Sequence, residues 1–403
     1  MRVLIVTVGS RGDVAPFTGL GRCLRKAGHE VVLAAHPPFA GLVGACGLDY
    51  RPLPGDPREL ILARDRASSP EEARAATKAF LDGLADGVAT VVADGADLVL
   101  TPFGAAPFSL TAGAAFGVPV LGSYLVPAFA TGEFPPPGAP SADDLGAAGN
   151  LAAGRAALGR AEGLYAGAVA RMRDRLGVPA GTPPPQLAGI RPVFHGVSPL
   201  VVPRPADWPE RVEMTGYWWP ARPHGWRPPA ELVDFLRAGP PPVFVGFGSM
   251  APGQGERLSA LVAAAVRRAG VRAVVQAGWA GLSGGGEQIL AIGEVPHDWL
   301  FPRTAAVVHH AGAGTTAAGL RAGVPAVPVP VMADQPFWAA RLHRLGVAPR
   351  PLPFRDLTAE ALGTAIAACL GDDAHRRRAA RLARGLATED GAAAVLAHIE
   401  SAR

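Results

Sequence analysis

Short apolar runs alternate with amphipathic stretches along the whole chain, and this alternation predicts a doubly wound α/β protein. The clearest runs are residues 3–8, 97–101 and 118–123 in the first half, and 243–248 and 305–308 in the second. Most positions in these runs are apolar, which is typical of strands that are buried on both faces of a parallel sheet. The stretches between them carry apolar residues at helical spacing, so the pattern predicts repeated βαβ units.

The same pattern predicts the remaining elements. Further strands are expected at residues 30–35, 50–53, 193–197, 212–216, 271–276, 288–292 and 326–331. Helices are expected from Pro16 onwards and at 57–66, 70–92, 105–116, 144–176, 256–269, 336–345, 358–370, 374–386 and 390–401. Residues 127–140 are rich in Pro, Gly and Phe, and their length is unusual for a simple connection, so we expect a functional loop there.

A segment rich in proline and tryptophan interrupts the alternation between Trp218 and Pro229. Its prolines prevent a regular helix or strand, which indicates a connection between domains. We therefore expect a linker at 218–229, between an N-terminal domain at 1–217 and a C-terminal domain at 230–388. Two successive βαβ domains imply a cleft between them, where a ligand would bind.

A glycine-rich turn follows the apolar run at 305–308, with the sequence His309-His310-Ala311-Gly312-Ala313-Gly314-Thr315-Thr316. A helix begins after it, and the N–H groups and dipole of a helix N-terminus favour an anion. Glycine also lets the backbone approach that anion closely. This arrangement predicts a phosphate site whose members are Ser249, at the end of an earlier strand, and His310, Gly312, Ala313, Gly314 and Thr315.

A carboxylate and an amide, Asp334 and Gln335, follow the next predicted strand. Parallel strands end at the same edge of a sheet, so these side chains are expected near the phosphate site, where they could hydrogen-bond hydroxyl groups. Together the two sites indicate a pocket for a diphosphate joined to a hydroxylated group. An ordinary βαβ turn with a threonine-capped helix is the alternative, but it does not account for His310, Asp334 or Gln335.

Composition narrows the classes of function. The 403 residues carry 38 Lys and Arg against 34 Asp and Glu, without a dense basic run, so nucleic-acid binding is not expected. Three separated cysteines and the lack of a D-x-D triad predict no metal site. We expect no transmembrane segment, no signal peptide and a cytoplasmic location. The abundance of Ala, Gly, Pro and Arg is typical of a GC-rich bacterial genome.

A second class of enzyme is suggested by Gly246-Phe247-Gly248-Ser249-Met250-Ala251, which fits the dinucleotide-binding fingerprint in its G-x-G-x-x-A form. An NAD(P)-dependent oxidoreductase would need an acidic residue at the end of the next strand to hold the ribose. That position, Gln276, and its neighbours are not acidic. The fingerprint is therefore incomplete, and the oxidoreductase is kept as the alternative from a different class.

Several segments together resemble the family-one nucleotide-sugar glycosyltransferases, in particular the bacterial antibiotic glycosyltransferases and the sterol glucosyltransferases. These segments are Gly9 to Val14, Val243 to Met250, Val295 to Leu300, the His-Gly turn and Asp334 to Trp338. The resemblance implies the GT-B fold, with two Rossmann-like domains facing each other across a cleft. It also implies that a last helix at 389–403 crosses back to the N-terminal domain, that a UDP- or dTDP-sugar is the co-substrate, and that neither cofactor nor metal is required.

The resemblance assigns roles to the C-terminal residues. It places the diphosphate on His310, Gly312 and Thr315 and the sugar on Asp334 and Gln335. The nucleoside is expected at the strand ends that carry Trp279, Val295 and His297, although Trp279 also suits a core position. His297 replaces a glutamine that is common in plant members of the family.

Asp13 is the candidate general base. It is the only acid in the loop after the first predicted strand, and inverting transfer requires a base to take the proton of the acceptor hydroxyl. In the alternative interpretation, Asp13 caps the helix expected from Pro16. The acceptor is expected to contact the residues Ser10, Arg11, Gly12, Phe103 and Phe134; Arg11 could instead pair with Asp13 or the diphosphate, or be solvated.

The sequence thus predicts an inverting glycosyltransferase that moves a hexose to a hydroxyl of a lipophilic natural product, such as a polyketide or macrolide. A sterol or other lipid acceptor is the alternative within the family, and a non-catalytic partner protein of the same fold is a further one. The partners expected are the small-molecule acceptor and the nucleotide sugar. The oligomeric state stays open, with a homodimer as one alternative.

Overall fold

The computed structural model describes residues 1–139, 141–179, 181–190 and 192–401. Pro140, at the end of the predicted functional loop, and residues 402–403, at the end of the segment expected to cross back, lie outside these ranges. The chain separates into two compact units. The first unit comprises Met1–Pro136, Asp144–His224 and Asp390–Arg403, and the second comprises Pro137–Asp143 and Gly225–Glu389. The segment expected to be the linker is thus shared between the units, and part of the 127–140 loop is grouped with the second.

The first unit is built on a parallel sheet. Its strands are β1 (Arg2–Val6), β2 (Glu30–Ala35), β3 (Asp49–Pro52), β4 (Leu98–Thr101), β5 (Val120–Tyr124), β6 (Val193–His195) and β7 (Val212–Met214). Its helices before the linker are α1 (Arg11–Lys26), α2 (Ala40–Ala45), α3 (Pro57–Arg66), α4 (Pro70–Ala93), α5 (Ala106–Phe116) and α6 (Gly146–Arg175). The strand order is β3-β2-β1-β4-β5-β6-β7.

Helix α1 begins at Arg11, so the prediction that it starts at Pro16 is wrong. Ser10 is its N-cap, and the Asp13 side chain accepts a hydrogen bond from the backbone N–H of Ser10 at 2.7 Å. This half of a capping box starts the helix earlier than the proline signal indicates. Pro16 removes one backbone donor, to the carbonyl of Gly12, which is tolerated because Gly12 is exposed to water. Asp13 therefore lies in the first helical turn and not in the preceding loop.

The second unit repeats the architecture with fewer strands. Its strands are β8 (Val243–Gly246), β9 (Ala273–Gln276), β10 (Ile289–Ile292), β11 (Ala306–His309) and β12 (Ala326–Pro328). Its helices are α7 (Ala230–Arg237), α8 (Gly255–Ala269), α9 (His297–Leu300), α10 (Ala313–Ala322), α11 (Gln335–Arg344), α12 (Ala359–Gly371) and α13 (Asp373–Leu386). All pairings in the order β10-β9-β8-β11-β12 are parallel.

Both faces of the second sheet are covered, as its continuous apolar strands require. On one face, Val245 and Val308 pack in a core with Val262 of α8 and Ile366 of α12. On the other face, Phe244, Val274 and Val307 share a core with Leu300 and Phe301 near α9. The prediction of a doubly wound parallel fold is confirmed.

The last helix, α14 (Gly391–Ser401), belongs to the first unit. Val395 and Ile399 are buried in the core that contains Phe17 of α1. The indole N–H of Trp218 donates to the Gly391 carbonyl at 3.2 Å, at the start of this helix. Among the described residues, none of the helices combines the length and the apolar character that a membrane-spanning segment requires.

Each sheet contains one point where the strand order reverses. The reversal falls between β1 and β4 in the first unit and between β8 and β11 in the second. Loops that leave two such strands diverge to opposite faces and open a crevice beyond the carboxyl ends, where ligands of doubly wound sheets bind. The crevices that could bind a ligand therefore lie at the ends of β1 and β4 and at the ends of β8 and β11.

Candidate functional site

The His310 ring lies between the backbones of two glycines, at the carboxyl ends of β8 and β11. A Cβ atom on Gly248 would come 2.8 Å from Cε1 of His310, and a Cβ atom on Gly312 would come 2.5 Å from Nε2. Both separations are too short for real carbon contacts, so side chains at these positions would displace the ring. Gly248 also has a φ of 57°, a left-handed conformation that suits glycine. The two glycines thus make the space that His310 occupies.

His310 is uncharged at neutral pH. Burial lowers the pKa of His310 to about 4, because the imidazolium form would lose its hydration, and the nearby Gly246 backbone acts in the opposite direction. A neutral imidazole can donate one hydrogen bond to an anionic oxygen or become charged when an anion binds beside it. His310 is therefore suited to bind a phosphate through a short-range hydrogen bond. Because the free imidazole is neutral, it neither repels cations nor attracts anions at long range.

Helix α10 presents an open N-terminus next to this ring. Its N-cap is Gly312, which has no side chain to satisfy the first-turn N–H groups. Ala313, Gly314 and Thr315 form that first turn; Gly314 is exposed and Thr315 is half-buried. Because the first N–H groups of a helix have no intrahelical acceptor, they can bind an anion together. The structure brings all the turn residues of the predicted phosphate site to one place beside His310.

The loops after β8 and β9 are bonded to each other. The backbone N–H of Trp279 donates to the Gly248 carbonyl at 2.8 Å. A Cβ on Gly278 would come 2.5 Å from that carbonyl oxygen, so the close approach depends on glycine. Ser249 follows Gly248 and is half-buried, as is the Trp279 side chain. Ser249 and Trp279 are thus tied to the residue that packs against His310.

Val295 and His297 follow β10, two loops away along the sheet edge. Val295 is buried, whereas His297 is half-buried at the first position of α9. The imidazole of His297 stacks on Phe301, with the ring centroids 4.3 Å apart and an interplanar angle of 13°. The core therefore fixes the orientation of His297.

Asp334 is held by a tryptophan on its own helix. Its Oδ2 accepts the indole N–H of Trp338 at 2.7 Å, one turn into α11. Burial raises the pKa of the Asp334 carboxyl, and the hydrogen bond from Trp338 opposes that shift. Trp338 therefore orients the carboxylate and favours its ionised form, which sequence reasoning did not foresee.

Gln335 points into the protein. Its Oε1 accepts the backbone N–H groups of Val331 at 2.8 Å and Met332 at 3.0 Å, and its Nε2 donates to Sδ of Met250 at 3.2 Å. Because β12 already ends at Pro328, the N–H groups of Val331 and Met332 lie beyond the strand, and the Gln335 amide supplies the acceptor that they need. If Gln335 binds a hydroxyl group, it can do so through the second N–H of its amide, because Oε1 and the first N–H already have partners.

In the first unit, Asp13 and Ser10 lie at the carboxyl end of β1. Asp13 Oδ2 also accepts the Ser10 hydroxyl, at 3.0 Å. Arg11 and Asp13 are half-buried, and Gly12 is exposed. A Cβ on Gly9 would come 2.4 Å from Asp13 Oδ2, so a glycine is needed for the carboxylate to reach Ser10. The residues predicted from this motif are together, in a turn that the carboxylate itself organises.

The two predicted phenylalanines belong to an aromatic cluster at the ends of β4, β5 and β6. Phe103 contacts Tyr124 edge-on at 5.5 Å, and Phe134 contacts Trp208 at 6.5 Å between ring centroids. His195 is completely buried and stacks on Trp208 at 4.8 Å. Sequence reasoning missed His195 and Trp208: the strand was predicted to run over 193–197, whereas β6 ends at His195.

The loop that carries Phe134 is fixed at its base by hydrogen bonds. Asp207 accepts the Thr131 hydroxyl and the Gly132 N–H, both at 2.7 Å. Glu133 accepts the Ala206 N–H at 2.6 Å. Such charge-assisted bonds order an otherwise irregular segment. Over the described ranges, no group of three or more His, Cys, Asp and Glu side chains could hold a metal ion.

Comparisons with known families match both halves of the chain. The model of the glycosyltransferase family 28 N-terminal domain matches residues 3–114. The model of the erythromycin biosynthesis protein CIII-like C-terminal domain matches residues 280–401, which include the His-Gly turn and Asp334. The first range includes Ser10 to Asp13 and Phe103, whereas Phe134, Ser249 and Trp279 lie outside both matched ranges.

Individual relatives match over nearly the full chain. The chain is 38% identical to an O-mycaminosyltylonolide 6-deoxyallosyltransferase of Streptomyces fradiae, over 97% of this chain and 95% of the relative. It is 33% identical to a sterol 3-beta-glucosyltransferase of Arabidopsis thaliana, over 100% of this chain but 66% of the relative. A solved spinosyn rhamnosyltransferase in complex with thymidine diphosphate shares the fold, with a TM-score of 0.69, 19% identity and coverage of 99% of this chain and 100% of that one.

Proposed function

The chain belongs to the GT-B glycosyltransferases that include the macrolide and sterol enzymes, and from this premise we propose that it transfers a hexose from a UDP- or dTDP-sugar to a hydroxyl of a lipophilic natural product. The observation that carries the proposal is the position of His310. Its ring is seated between Gly248 and Gly312, beside the open N-terminus of α10, at the strand-order reversal of the second sheet. This is a site for the diphosphate of a nucleotide sugar.

The proposed donor site uses different elements for different parts of the donor. The diphosphate binds to His310, to the N–H groups from Gly312 to Thr315 and to Ser249. The nucleoside lies against Trp279, Val295 and His297, and the sugar against Asp334 and the remaining amide N–H of Gln335. When the C1–O bond breaks, negative charge develops on the leaving diphosphate, and the helix N-terminus and His310 stabilise it. The nucleotide sugar is a co-substrate, and no cofactor or metal is part of the proposal.

Asp13 is the proposed general base of an inverting reaction. It would take the proton of the acceptor hydroxyl as the oxygen attacks the anomeric carbon from the side opposite the diphosphate. Its second role, in the turn with Ser10, supports this assignment, because two hydrogen bonds to Oδ2 fix the orientation of the carboxylate. Catalysis and helix capping are therefore compatible in one side chain.

The proposed acceptor is a polyketide or macrolide-like molecule. Support comes from the 38% identity with the Streptomyces fradiae enzyme, whose name specifies a macrolide acceptor. Phe103, which is half-buried beside the reversal point of the first sheet, offers apolar surface for such an acceptor, whereas Phe134 is buried against Trp208 in the same aromatic cluster. A sterol or lipid acceptor is the second candidate, favoured by the plant relatives, although this chain spans 66% of the length of the Arabidopsis enzyme and 27% of a fungal one.

Binding and product analysis test the proposal together. Calorimetric titrations should show binding of UDP or dTDP and no binding of NADPH, and His310→Ala should weaken the nucleotide by roughly tenfold or more, as expected for a lost charge-assisted hydrogen bond. Binding of NADPH alone would favour an oxidoreductase and contradict the proposal. Incubation of nucleotide sugars with a macrolide aglycone or a sterol, followed by NMR of the product, identifies the acceptor class and whether the anomeric centre is inverted.

A further inference from the structure

His309, the neighbour of the proposed phosphate ligand, is buried in the protein and does not reach the surface. Its side chain is 0% exposed, and its Nε2 atom has no hydrogen-bond partner among the described residues. A buried nitrogen without a partner is costly, and an apolar residue at the end of β11 would avoid that cost. A role of the other ring nitrogen, Nδ1, must therefore explain why a histidine occupies this position.

The other nitrogen, Nδ1, accepts the backbone N–H of Ala311 at 3.1 Å. Ala311 has a φ of 61°, in the left-handed region that a non-glycine residue adopts only at an energetic cost. The hydrogen bond joins a residue at the end of the strand to the residue that reverses the chain direction. It therefore opposes the tendency of Ala311 to relax to a negative φ.

The conformation of Ala311 decides where its neighbours lie. Ala311 connects His310, whose ring is seated against Gly248 and Gly312, to Gly312, which is the N-cap of α10. If φ at Ala311 changed sign, the His310 ring and the first N–H groups of α10 would no longer converge on one point. Burial lowers the pKa of His309 to about 3, so its Nδ1 remains an unprotonated acceptor throughout the usual pH range.

We infer that His309 is a positioning residue, which holds Ala311 in its left-handed conformation and thereby aligns His310 and the α10 N-terminus for the diphosphate. The inference rests on the proposed function, because that function supplies the diphosphate. It predicts that His309 acts on the phosphate part of the ligand and not on the nucleoside part.

A double-mutant cycle with Ala311→Gly tests the inference. Glycine adopts φ near 60° without strain, so it removes the need for the hydrogen bond. His309→Leu replaces the imidazole by an apolar side chain of similar size and removes the acceptor. We expect it to weaken UDP or dTDP binding roughly tenfold while uridine or thymidine binding is unchanged. Ala311→Gly alone should bind as the wild type does, and His309→Leu combined with Ala311→Gly should regain most of the lost affinity.

His309→Asn provides the conservative control, because its Oδ1 can accept the Ala311 N–H where Nδ1 does. It should retain most of the diphosphate affinity. The inference is overturned if His309→Leu binds the diphosphate as tightly as the wild type, if nucleoside binding falls equally, or if Ala311→Gly does not restore affinity.

Thermal unfolding of the wild type, His309→Leu, Ala311→Gly and the double variant measures the coupling between positions 309 and 311 without a ligand. We expect a positive coupling: Ala311→Gly should lower the stability less, or raise it, in the His309→Leu background than in the wild type. Additive effects would overturn the positioning of Ala311. If the wild type bound neither UDP nor dTDP, the proposed function would fail instead, and this cycle would still decide the role of His309.

Discussion

Asp13 Oδ2 accepts two hydrogen bonds from Ser10, from the backbone N–H at 2.7 Å and from the hydroxyl at 3.0 Å. Asp13→Asn keeps the shape of the side chain and an acceptor for the backbone N–H but removes the base. We expect kcat to fall by about 10²-fold or more, which is the usual contribution of a general base, with UDP or dTDP affinity unchanged. Steady-state kinetics and calorimetry on the same preparation measure both effects.

Glu72 offers a matched control in the same unit. It accepts the backbone N–H and the hydroxyl of Ser68, at 2.8 and 2.7 Å, next to the start of α4. Glu72→Gln therefore makes the same chemical change at another helix start, where the bonded residue, Ser68, precedes the N-cap Ser69, and it should leave turnover intact. Equal losses in the two variants would show that Asp13 acts through helix capping, and undiminished turnover in Asp13→Asn would remove it as the base.

The space around His310 depends on Gly312, and this dependence is purely steric because Gly312 has a φ of −64°. Gly312→Ala would place a methyl group 2.5 Å from His310 Nε2, so the ring must move. We expect diphosphate affinity to fall roughly tenfold and the free energy of unfolding to fall by about 1–3 kcal/mol, as is typical of an overpacked site. Gly319→Ala is the control, since Gly319 lies in α10 beyond the phosphate turn and a Cβ there meets no atom within 4 Å. Equal affinities of the two variants would contradict the proposed site.

Removing the indole N–H of Trp338 should shift the pH dependence of donor binding. Trp338→Phe leaves the Asp334 carboxyl buried without the hydrogen bond that opposes the rise of its pKa, so the pKa rises further. The ionised carboxylate is lost as pH falls through that pKa. The KM for the nucleotide sugar should therefore begin to increase at a higher pH than in the wild type, while UDP alone binds normally.

Trp299→Phe serves as the control for this series, because Trp299 packs against Trp226 in the same unit and does not contact Asp334 in the described contacts. The pH profile of its KM should match that of the wild type. A Trp338→Phe profile that coincides with the wild-type profile would exclude a contribution of this hydrogen bond to sugar binding.

Buried histidines should make the fold sensitive to mild acid. The pKa values of His195 and His309 are lowered to about 3, and that of His310 to about 4, by burial. Below pH 6.5 the unfolded chain, in which histidine pKa values are near 6.5, binds more protons than the folded chain. The free energy of unfolding is therefore highest above pH 6.5 and falls as the pH drops towards 4. Each group contributes about 2 kcal/mol to the difference between pH 7 and pH 5.

His195→Phe isolates one of these contributions. The phenyl ring can keep the stacking on Trp208 but cannot be protonated. Denaturant unfolding at pH 7 and pH 5 should show a smaller loss of stability in this variant than in the wild type. An unchanged difference in His195→Phe would contradict the linkage.

Activity should withstand a chelator. The charge on the leaving diphosphate is assigned to α10, Ser249 and His310, and the sequence contains no D-x-D triad. Product formation in excess EDTA should therefore equal that in its absence. A loss of activity that Mg²⁺ or Mn²⁺ restores would require a metal ion in the mechanism.

Much of the fold could be predicted because strand burial leaves a strong trace in the sequence. The helices expected at 57–66 and 70–92 are found at Pro57–Arg66 and Pro70–Ala93, where Asp and Ser caps and a following proline mark the starts. Helices α2 and α7 were not predicted, because they are short. The start of α1 was missed, because the proline signal at Pro16 outweighed the Ser10 and Asp13 pair.

The backbone of the candidate site, a strand, a turn and a helix, could be predicted from the sequence. The hydrogen-bond partners of its side chains could not. The strand–turn–helix at His310 follows from local sequence, and the structure has it. The hydrogen bonds of Gln335 to Val331 and Met332 arise because β12 stops at Pro328, which the apolar run at 326–331 concealed. Contacts such as Trp338 with Asp334 depend on rotamers that packing selects, so periodicity carries no information about them.

The return of α14 to the first unit limits how this enzyme can be recombined with its relatives. An exchange of residues 225–389, the main part of the second unit, needs two junctions, near 224 and near 389, because residues 390–401 pack with α1. A single junction would also import a foreign last helix, and its side chains at positions 395 and 399 would have to fill space shaped for valine and isoleucine. Chimeras that keep the native C-terminal residues should therefore fold more often than those built by simple fusion of two halves.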